Sequence, residues 1–237
     1  MDLTGRTIFI TGASRGLGRA IAEACAAAGG RLVLCARGAD ELGSTADTLA
    51  VGGTEVEWGP ADVTDADAVA ALVAGAERRF GRVDALVNNA SVLGRRVPIR
   101  EQSPEEWRRV MDINVTGTLI PTLAVLPGMR RAGEGSIVNL TSGVGDRPRA
   151  RWGPYAISKW AVEGFTYNLA LEEEEAGIRV NAVDPGKVRT RMRRAAYPAE
   201  DPSEPAPAHE VVDVFVWLAS PESSGVTGQR FRAQEWP

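Results

Sequence analysis

The chain has 237 residues, of which 44% are hydrophobic and 24% are charged, and its net charge at pH 7 is -4. This composition predicts a globular domain, and the negative charge argues against nucleic acid or an anionic membrane as the main partner. His209 is the only histidine, which argues against a His-based metal site or a Ser-His-Asp triad, and we expect no metal. Because we find no apolar span of membrane length and no signal-peptide core, we expect a cytoplasmic protein.

Short β-branched runs alternate with helical patterns along the chain. Strands are predicted over residues 7–11, 31–36, 54–58, 83–88, 136–140, 178–183 and 228–233. Helices are predicted over residues 17–28, 39–51, 66–80, 103–131, 155–177 and 209–219. Residues 191–208 are rich in proline and are predicted to be irregular, within a flexible loop near 187–208. The alternation predicts a parallel sheet covered by helices on both faces, in one domain over residues 1–237.

A glycine-rich segment joins the first predicted strand to the first helix and reads Thr11-Gly12-Ala13-Ser14-Arg15-Gly16-Leu17-Gly18. Gly12 permits a tight turn, Gly16 lets the backbone approach a phosphate, and Gly18 lets the helix pack closely on the sheet. The free N–H groups and positive dipole at a helix N-terminus favour a bound pyrophosphate. The segment therefore predicts a dinucleotide site, with an ordinary glycine turn as the simpler alternative.

Tyr155 and Lys159 are four residues apart in a predicted helix, and Ser142 lies upstream of them. Positions four apart share a helix face, so the ammonium can lower the pKa of the phenol. Tyr155 would then be the general acid in a reduction and the base in an oxidation, while Ser142 would hydrogen-bond the substrate oxygen. A packed aromatic and a solvated lysine are the simpler interpretations of the pair, but the glycine segment and Ser142 together favour catalysis.

The spacing Gly-x-x-x-Gly-x-Gly, followed by Ser142, Tyr155 and Lys159, resembles the short-chain dehydrogenase/reductase family, in particular its single-domain 3-oxoacyl carrier-protein reductases. The resemblance extends along almost the whole chain. It implies a Rossmann-type doubly wound α/β fold of about seven parallel strands, and NAD(P)-dependent chemistry on CH-OH or C=O groups.

The resemblance also implies roles for individual residues. Lys159 would hold the nicotinamide ribose, and Asn114 would position a water that connects Lys159 to solvent. The segment from Asn88 to Ser91 is similar to the family's Asn-Asn-Ala-Gly, with serine in place of the last glycine. The predicted catalytic residues are Asn114, Ser142, Tyr155 and Lys159. The predicted cofactor-binding residues are Gly12, Ser14, Arg15, Gly16, Leu17, Gly18, Arg37, Asp62, Val63, Asn89, Ala90, Tyr155, Lys159, Pro185, Gly186, Val188 and Thr190.

The end of the second predicted strand bears on the choice of nicotinamide cofactor. An acidic residue there favours the 2′-hydroxyl of NAD, whereas arginine favours the 2′-phosphate of NADP. This strand ends at Arg37 with no carboxylate before Asp40, and Arg15 lies on the same side. Two guanidiniums can bind a phosphate through bidentate hydrogen bonds, so we predict NADP(H), with NAD(H) as the alternative. A solvated Arg37 is the simpler interpretation.

The substrate pocket is predicted between residues 92–97, 143–154 and 187–208, which carry many arginines. Such a basic rim could attract a phosphopantetheine carrier or coenzyme A, although a solvated loop surface is the favoured interpretation. The same segments offer an apolar lining, and Trp152 could equally pack beneath a loop. The candidate lining residues are Val92, Leu93, Val144, Trp152 and Met192.

Together these features predict an NADPH-dependent oxidoreductase that reduces a ketone, for instance a 3-oxoacyl thioester, to a secondary alcohol. The alternatives are an NAD(P)+-dependent alcohol dehydrogenase working in the oxidative direction and a non-catalytic NADP(H)-binding sensor. A nucleotide-sugar isomerase or dehydratase is disfavoured, because such relatives are usually longer. The resemblance implies a homodimer or homotetramer that binds a small-molecule or carrier-linked carbonyl. However, Pro121 could kink the helix used for subunit contact, and the chain lacks the family's common Asp-Gly-Gly ending.

Overall fold

A seven-stranded parallel sheet forms the centre of the computed structural model, which describes residues 1–236. The sheet order is β3-β2-β1-β4-β5-β6-β7. Because the strand order reverses between β1 and β4, their carboxyl ends open a crevice that can hold a ligand. This confirms the predicted Rossmann-type fold. The strands are β1 Thr7–Thr11, β2 Arg31–Ala36, β3 Val56–Pro60, β4 Ala85–Asn88, β5 Gly135–Leu140, β6 Ile178–Asp184 and β7 Arg230–Arg232.

The described part of the chain contains eight α-helices, of which six cover the two faces of the sheet. They are α1 Gly16–Ala27, α2 Ala39–Val51, α3 Ala66–Phe80, α4 Pro104–Met111, α5 Gly117–Ala132, α6 Gly153–Glu173, α7 Arg191–Ala196 and α8 Asp213–Ala219. One apolar cluster joins α1, α2 and α8 to the sheet, and a second joins α3, α5 and α6 to it. The core therefore lies in two layers, on opposite faces of the sheet.

Local capping signals fix several helix starts where the sequence predicts them. The Asp65 carboxylate accepts a hydrogen bond from the Ala68 N–H at 3.1 Å and begins α3. The Ser103 hydroxyl accepts from the Glu106 N–H at 3.2 Å, and Pro104 is the first residue of α4. Each cap satisfies a backbone donor that has no partner inside its helix.

The helix predicted over 103–131 is confirmed as one continuous helix, Pro104–Ala132, in which a π-helical turn at Asp112–Thr116 separates α4 from α5. The prediction that residues 191–208 are irregular is wrong in part, because this stretch contains α7. Some boundaries also differ: β3 lies two residues later than predicted, β4 starts at Ala85, β7 has three residues, and a 3₁₀ turn precedes α8.

The segment Pro104–Ala132 is long and apolar enough, by length and composition, to cross a membrane. This corrects the expectation that no apolar span of that length exists. The observation is weak support for a membrane span, because core helices pass the same test. Here Val125, Leu126 and Met129 of α5 are buried in the cluster that α5 shares with the sheet.

Candidate active site

A cleft of about 1000 Å³ opens at the carboxyl ends of the strands. Its walls come from the glycine loop, the turns after β2, β3, β4 and β5, the start of α6, and residues 185–205. All the predicted catalytic, cofactor and substrate residues line this cleft except Asn114 and Val144. Topology thus brings together residues that are up to about 180 positions apart in the sequence.

The glycine loop leaves the N-terminus of α1 open to the cleft. Arg15 precedes the helix in an extended conformation, and its side chain makes no capping hydrogen bond. Gly16 has a φ of 57°, and a Cβ there would lie 3.5 Å from the Thr190 side chain across the cleft. The first N–H groups of α1 therefore face a narrow space without a side-chain acceptor, which fits a bound pyrophosphate.

Asn89 holds the glycine loop from the neighbouring strand. Its side-chain N–H₂ donates to the Thr11 carbonyl at 2.8 Å and to the Gly12 carbonyl at 3.1 Å. The Thr11 hydroxyl in turn accepts from the Asn89 and Ala90 N–H groups at 3.0 Å. A Cβ at Gly12 would come within 2.8 Å of the Asn89 side-chain nitrogen, so only glycine fits this turn.

Arg15 and Arg37 both line the cleft, and each faces a carboxylate. Arg15 pairs with Glu41 at 2.9 Å, and Arg37 lies 3.8 Å from Asp62. Glu41 also pairs with Arg191 of α7 at 3.1 Å. In the sequence, Asp40 is the first carboxylate after Arg37, and Glu41 was not predicted as a residue of the site. In the structure, Glu41 projects from the first turn of α2 into the cleft.

Ser142, Tyr155 and Lys159 come together at the inner end of the cleft. Ser142 follows β5, and Tyr155 and Lys159 lie on the first two turns of α6. The Lys159 Nζ is 5.7 Å from the centre of the Tyr155 ring and donates a hydrogen bond to the Leu140 carbonyl at 2.8 Å. Both side chains are almost fully buried.

Burial dominates the ionisation of the tyrosine and the lysine. It raises the pKa of Tyr155 to about 12, against the lowering effect of a hydrogen bond with Ser142. It lowers the pKa of Lys159 to about 8, although the charges of Glu163 and Asp184 act in the opposite direction. The expected lowering of the Tyr155 pKa is therefore wrong: the pKa is raised, because desolvation exceeds the lowering effect of the hydrogen bond with Ser142.

Asn114 lies in the π-helical turn behind the cleft wall. Its side-chain oxygen accepts from the Val92 N–H at 2.8 Å, and its nitrogen donates to the Val92 carbonyl at 3.0 Å. The same nitrogen donates to the Ser158 hydroxyl at 2.9 Å. The side chain of Asn114 thus fixes the backbone of the predicted substrate wall.

An arginine packs against two aromatic rings, Trp152 and Tyr197, that line the predicted substrate pocket. The Arg96 guanidinium lies 4.5 Å from the Trp152 ring and 4.8 Å from the Tyr197 ring. It also donates a hydrogen bond to the Ala196 carbonyl. Tyr197, which the sequence analysis missed, joins a small apolar cluster with Val144, Trp152, Tyr155, Leu93 and Met192. Its only sequence signal was an aromatic residue in a polar loop.

Comparison with known proteins places this site in a family. A family model described as short chain dehydrogenase matches residues 6–201. The uncharacterised oxidoreductase YciK of Escherichia coli is 35% identical over 235 residues, which cover 98% of this chain and 93% of the relative. The 3-oxoacyl-acyl-carrier-protein reductase FabG of Vibrio cholerae is 34% identical over 240 residues, covering 97% of this chain and 96% of FabG.

Solved structures agree with this result. A Shigella flexneri protein complexed with NADP has a TM-score of 0.93 and 36% identity, and the match covers 98% of each chain. The two proteins therefore share one fold. The chain is therefore an oxidoreductase of the short-chain dehydrogenase family, which confirms the family and the enzyme class predicted from the sequence.

Proposed function

We propose that this protein uses NADPH to reduce a ketone to a secondary alcohol. The observation that carries the proposal is the convergence of Ser142, Tyr155 and Lys159 in the cleft that also contains the uncapped N-terminus of α1. The complex of the Shigella flexneri relative with NADP supports the choice of cofactor. Arg15 of the glycine loop and Arg37, directly after β2, would hold the 2′-phosphate.

The chain's own residues would bind and protonate the substrate. When bound, the nicotinamide supplies the hydride. The Ser142 hydroxyl would hydrogen-bond the carbonyl oxygen, and the Tyr155 hydroxyl would donate its proton to that oxygen. Because burial raises the pKa of Tyr155 to about 12, the phenol carries its proton at neutral pH.

Charge pairing around the pocket bears on the class of ketone. Arg109 pairs with Glu106 at 2.9 Å, Arg191 pairs with Glu41, and Arg193 pairs with Glu200. Glu41 also pairs with Arg15, and Arg189 and Arg194 line the cleft without an ion pair in the described part of the chain, so the basic rim is only partly neutralised. Similarity to FabG supports a 3-oxoacyl thioester, whereas the aromatic lining favours a compact neutral ketone. We take the neutral ketone as the first substrate class to test.

We also propose that the protein is cytoplasmic and assembles as a homodimer or homotetramer. An outward-facing apolar stripe on α6 supports the assembly: Ile157, Trp160, Tyr167 and Leu171 are exposed. Leu119 and Leu123 of α5 are exposed in the same helical layer. Burying this surface against a second copy would remove it from water.

The direct test measures NADPH and NADH oxidation at 340 nm with cyclic ketones, diketones, quinones, steroid ketones and 3-oxoacyl thioesters. Turnover with NADPH is the expected result, and the order of catalytic efficiencies ranks the substrate classes. The reverse reaction with alcohols and NAD+ or NADP+ tests the oxidative alternative. Tight NADPH binding by fluorescence, with no turnover in either direction, would favour a sensor and contradict the reductase proposal.

A further inference from the structure

A buried ion cluster lies directly behind the catalytic residues. The Arg230 guanidinium of β7 donates to the Glu163 carboxylate at 2.8 Å and to the Asp184 carboxylate at 3.0 Å. The three side chains are only 14%, 9% and 10% exposed, respectively. They come from β7, α6 and the end of β6, so one guanidinium ties three elements together. Placing three charges in the interior carries a large desolvation cost, which calls for a reason.

Each residue that Arg230 contacts lies in, or next to, a segment that contains a residue of the active site. Arg230 also donates to the Ser142 carbonyl at 3.3 Å. Glu163 lies one helical turn after Lys159 on α6. The other oxygen of the Asp184 carboxylate accepts from the Gly186 N–H at 3.0 Å, in the loop that lines the nicotinamide side of the cleft. The cluster is therefore linked to three parts of the site: the backbone of Ser142, the helix that carries Lys159, and the loop at Gly186.

Two carboxylates of the cluster act on Lys159. Glu163 on the same helix and Asp184 of β6 both favour the charged ammonium, while burial disfavours it. Arg230 pairs with both carboxylates and offsets their negative charge, and the cluster is completed by Tyr167, which lies beside Glu163, and by the nearby charge of Asp146. Without the guanidinium, the negative charge of the two buried carboxylates would be less offset, and the pKa of Lys159 would rise.

We infer that Arg230 is a positioning residue for the proposed reaction, which holds the Ser142 backbone and offsets Glu163 and Asp184 behind Lys159. The inference rests on the proposed function where it concerns turnover, but its electrostatic part does not require turnover. A purely structural role would predict only a loss of stability. Arg179 of β6 provides the matched control, because it is a half-buried arginine that bonds Ser220 and Ser223, outside the cleft.

The test titrates the lysine side chains by NMR in protein labelled at lysine Cε. Lys159 and Lys187 are the only lysines, so the spectrum has two side-chain signals, and Lys187→Arg assigns them. In Arg230→Leu we expect the midpoint of Lys159 to rise by about one pH unit, and in Glu163→Gln we expect it to fall. The exposed Lys187 should not move, and Arg179→Leu should leave both midpoints unchanged.

Turnover provides the second readout. Arg230→Leu should lower kcat about tenfold, because the contact with the Ser142 carbonyl is lost. Arg230→Lys keeps the positive charge but not the forked guanidinium, so it should restore the Lys159 midpoint more fully than it restores kcat. An unchanged Lys159 midpoint in Arg230→Leu would overturn the inference. If that variant does not fold, an unchanged midpoint in Glu163→Gln overturns it instead. Shifted midpoints in a protein that has no turnover would reject the proposed function while the electrostatic role of Arg230 stands.

Discussion

The Tyr155 hydroxyl is the atom on which the proposed chemistry depends most. Tyr155→Phe removes the proton donor but leaves the ring and the cofactor walls in place. We expect kcat to fall by about 10²–10⁴ with little change in NADPH affinity. Thr48→Val, which removes an exposed hydroxyl on α2 outside the cleft, should keep full turnover. Steady-state kinetics and fluorescence titration check both variants, and near wild-type turnover in Tyr155→Phe would contradict the assignment.

Lys159 lowers the free energy of unfolding at neutral pH, because its charged ammonium is buried in the folded protein. Burial lowers its pKa from 10.5 to about 8, so the unfolded chain binds the proton more tightly. The cost is therefore fully present below pH 8 and disappears as the pH rises towards 10.5. A shift of this size corresponds to on the order of 3 kcal/mol.

Replacing Lys159 with an uncharged side chain should therefore raise the free energy of unfolding at pH 7. We expect Lys159→Met to be more stable than the wild-type protein at pH 7, with the difference shrinking by pH 9.5. Urea denaturation at the two pH values measures this, and Lys187→Met is the control because Lys187 is exposed. A difference that grows with pH would contradict the sign of the Lys159 pKa shift.

Arg37 tests the choice between the two nicotinamide cofactors. Its side chain is well exposed and lies 3.8 Å from Asp62, so its charge is only loosely compensated. Arg37→Ala should weaken NADPH binding about tenfold and NADH binding far less, because only NADPH carries the 2′-phosphate. Isothermal titration with both nucleotides measures the ratio. Arg19→Ala, an exposed arginine paired with Glu23 on α1, is the control, and equal losses for both nucleotides in Arg37→Ala would remove the basis for NADP(H) preference.

At the scale of elements, helices and strands were predicted correctly where the glycines or capping residues that bound them are adjacent in the sequence. Gly29 and Gly30 separate α1 from β2, and Asp65 caps α3, so these elements lie close to their predicted positions. The π-helical turn at Asp112–Thr116 escaped prediction because a helical pattern does not reveal one extra residue in a turn. Pro121 lies inside α5 and points into the core, so it does not disturb the exposed side of that helix.

The short helix α7 escaped prediction for a different reason. Its sequence is dominated by arginine and has no apolar period, so its position comes from contacts with distant residues. Thr190 caps it, Ala196 is buried, and Tyr197 at its end stacks on Arg96. The same dependence on tertiary contact explains why Glu41 and Tyr197 were missed as residues of the cleft.

The stack of Trp152, Arg96 and Tyr197 should hold α7 over the substrate pocket. Arg96→Ala removes two cation–π contacts and a hydrogen bond, and we expect a loss of about 1–2 kcal/mol in the free energy of unfolding. The KM for ketone should rise while NADPH affinity stays constant. Arg96→Lys should recover little, because an ammonium lacks the planar guanidinium surface that packs on the two rings. Arg95→Ala, its exposed neighbour, is the control, and an equal effect there would contradict the role of the stack.

At the scale of the whole molecule, the cleft and the assembly surface use opposite sides of α6. The inner side carries Tyr155 and Lys159, whereas Ile157, Trp160, Gly164, Tyr167 and Leu171 recur at intervals of three or four residues along the outer side. That spacing places them on one face of the helix. The apolar face could be recognised only once the structure had shown which side of α6 packs on the sheet.

Trp160 is the largest apolar side chain exposed on this face, and a charge there should prevent a second copy from docking. We expect the wild-type protein to elute as a dimer or tetramer in size-exclusion chromatography with light scattering. Trp160→Glu should shift the mass towards that of one chain, because burying an unpaired carboxylate in an apolar interface is costly. Val51→Glu, an exposed apolar position at the end of α2, should leave the mass unchanged. A wild-type protein that is a monomer at all concentrations, or a Trp160→Glu variant that assembles normally, would show that this face is not the subunit interface.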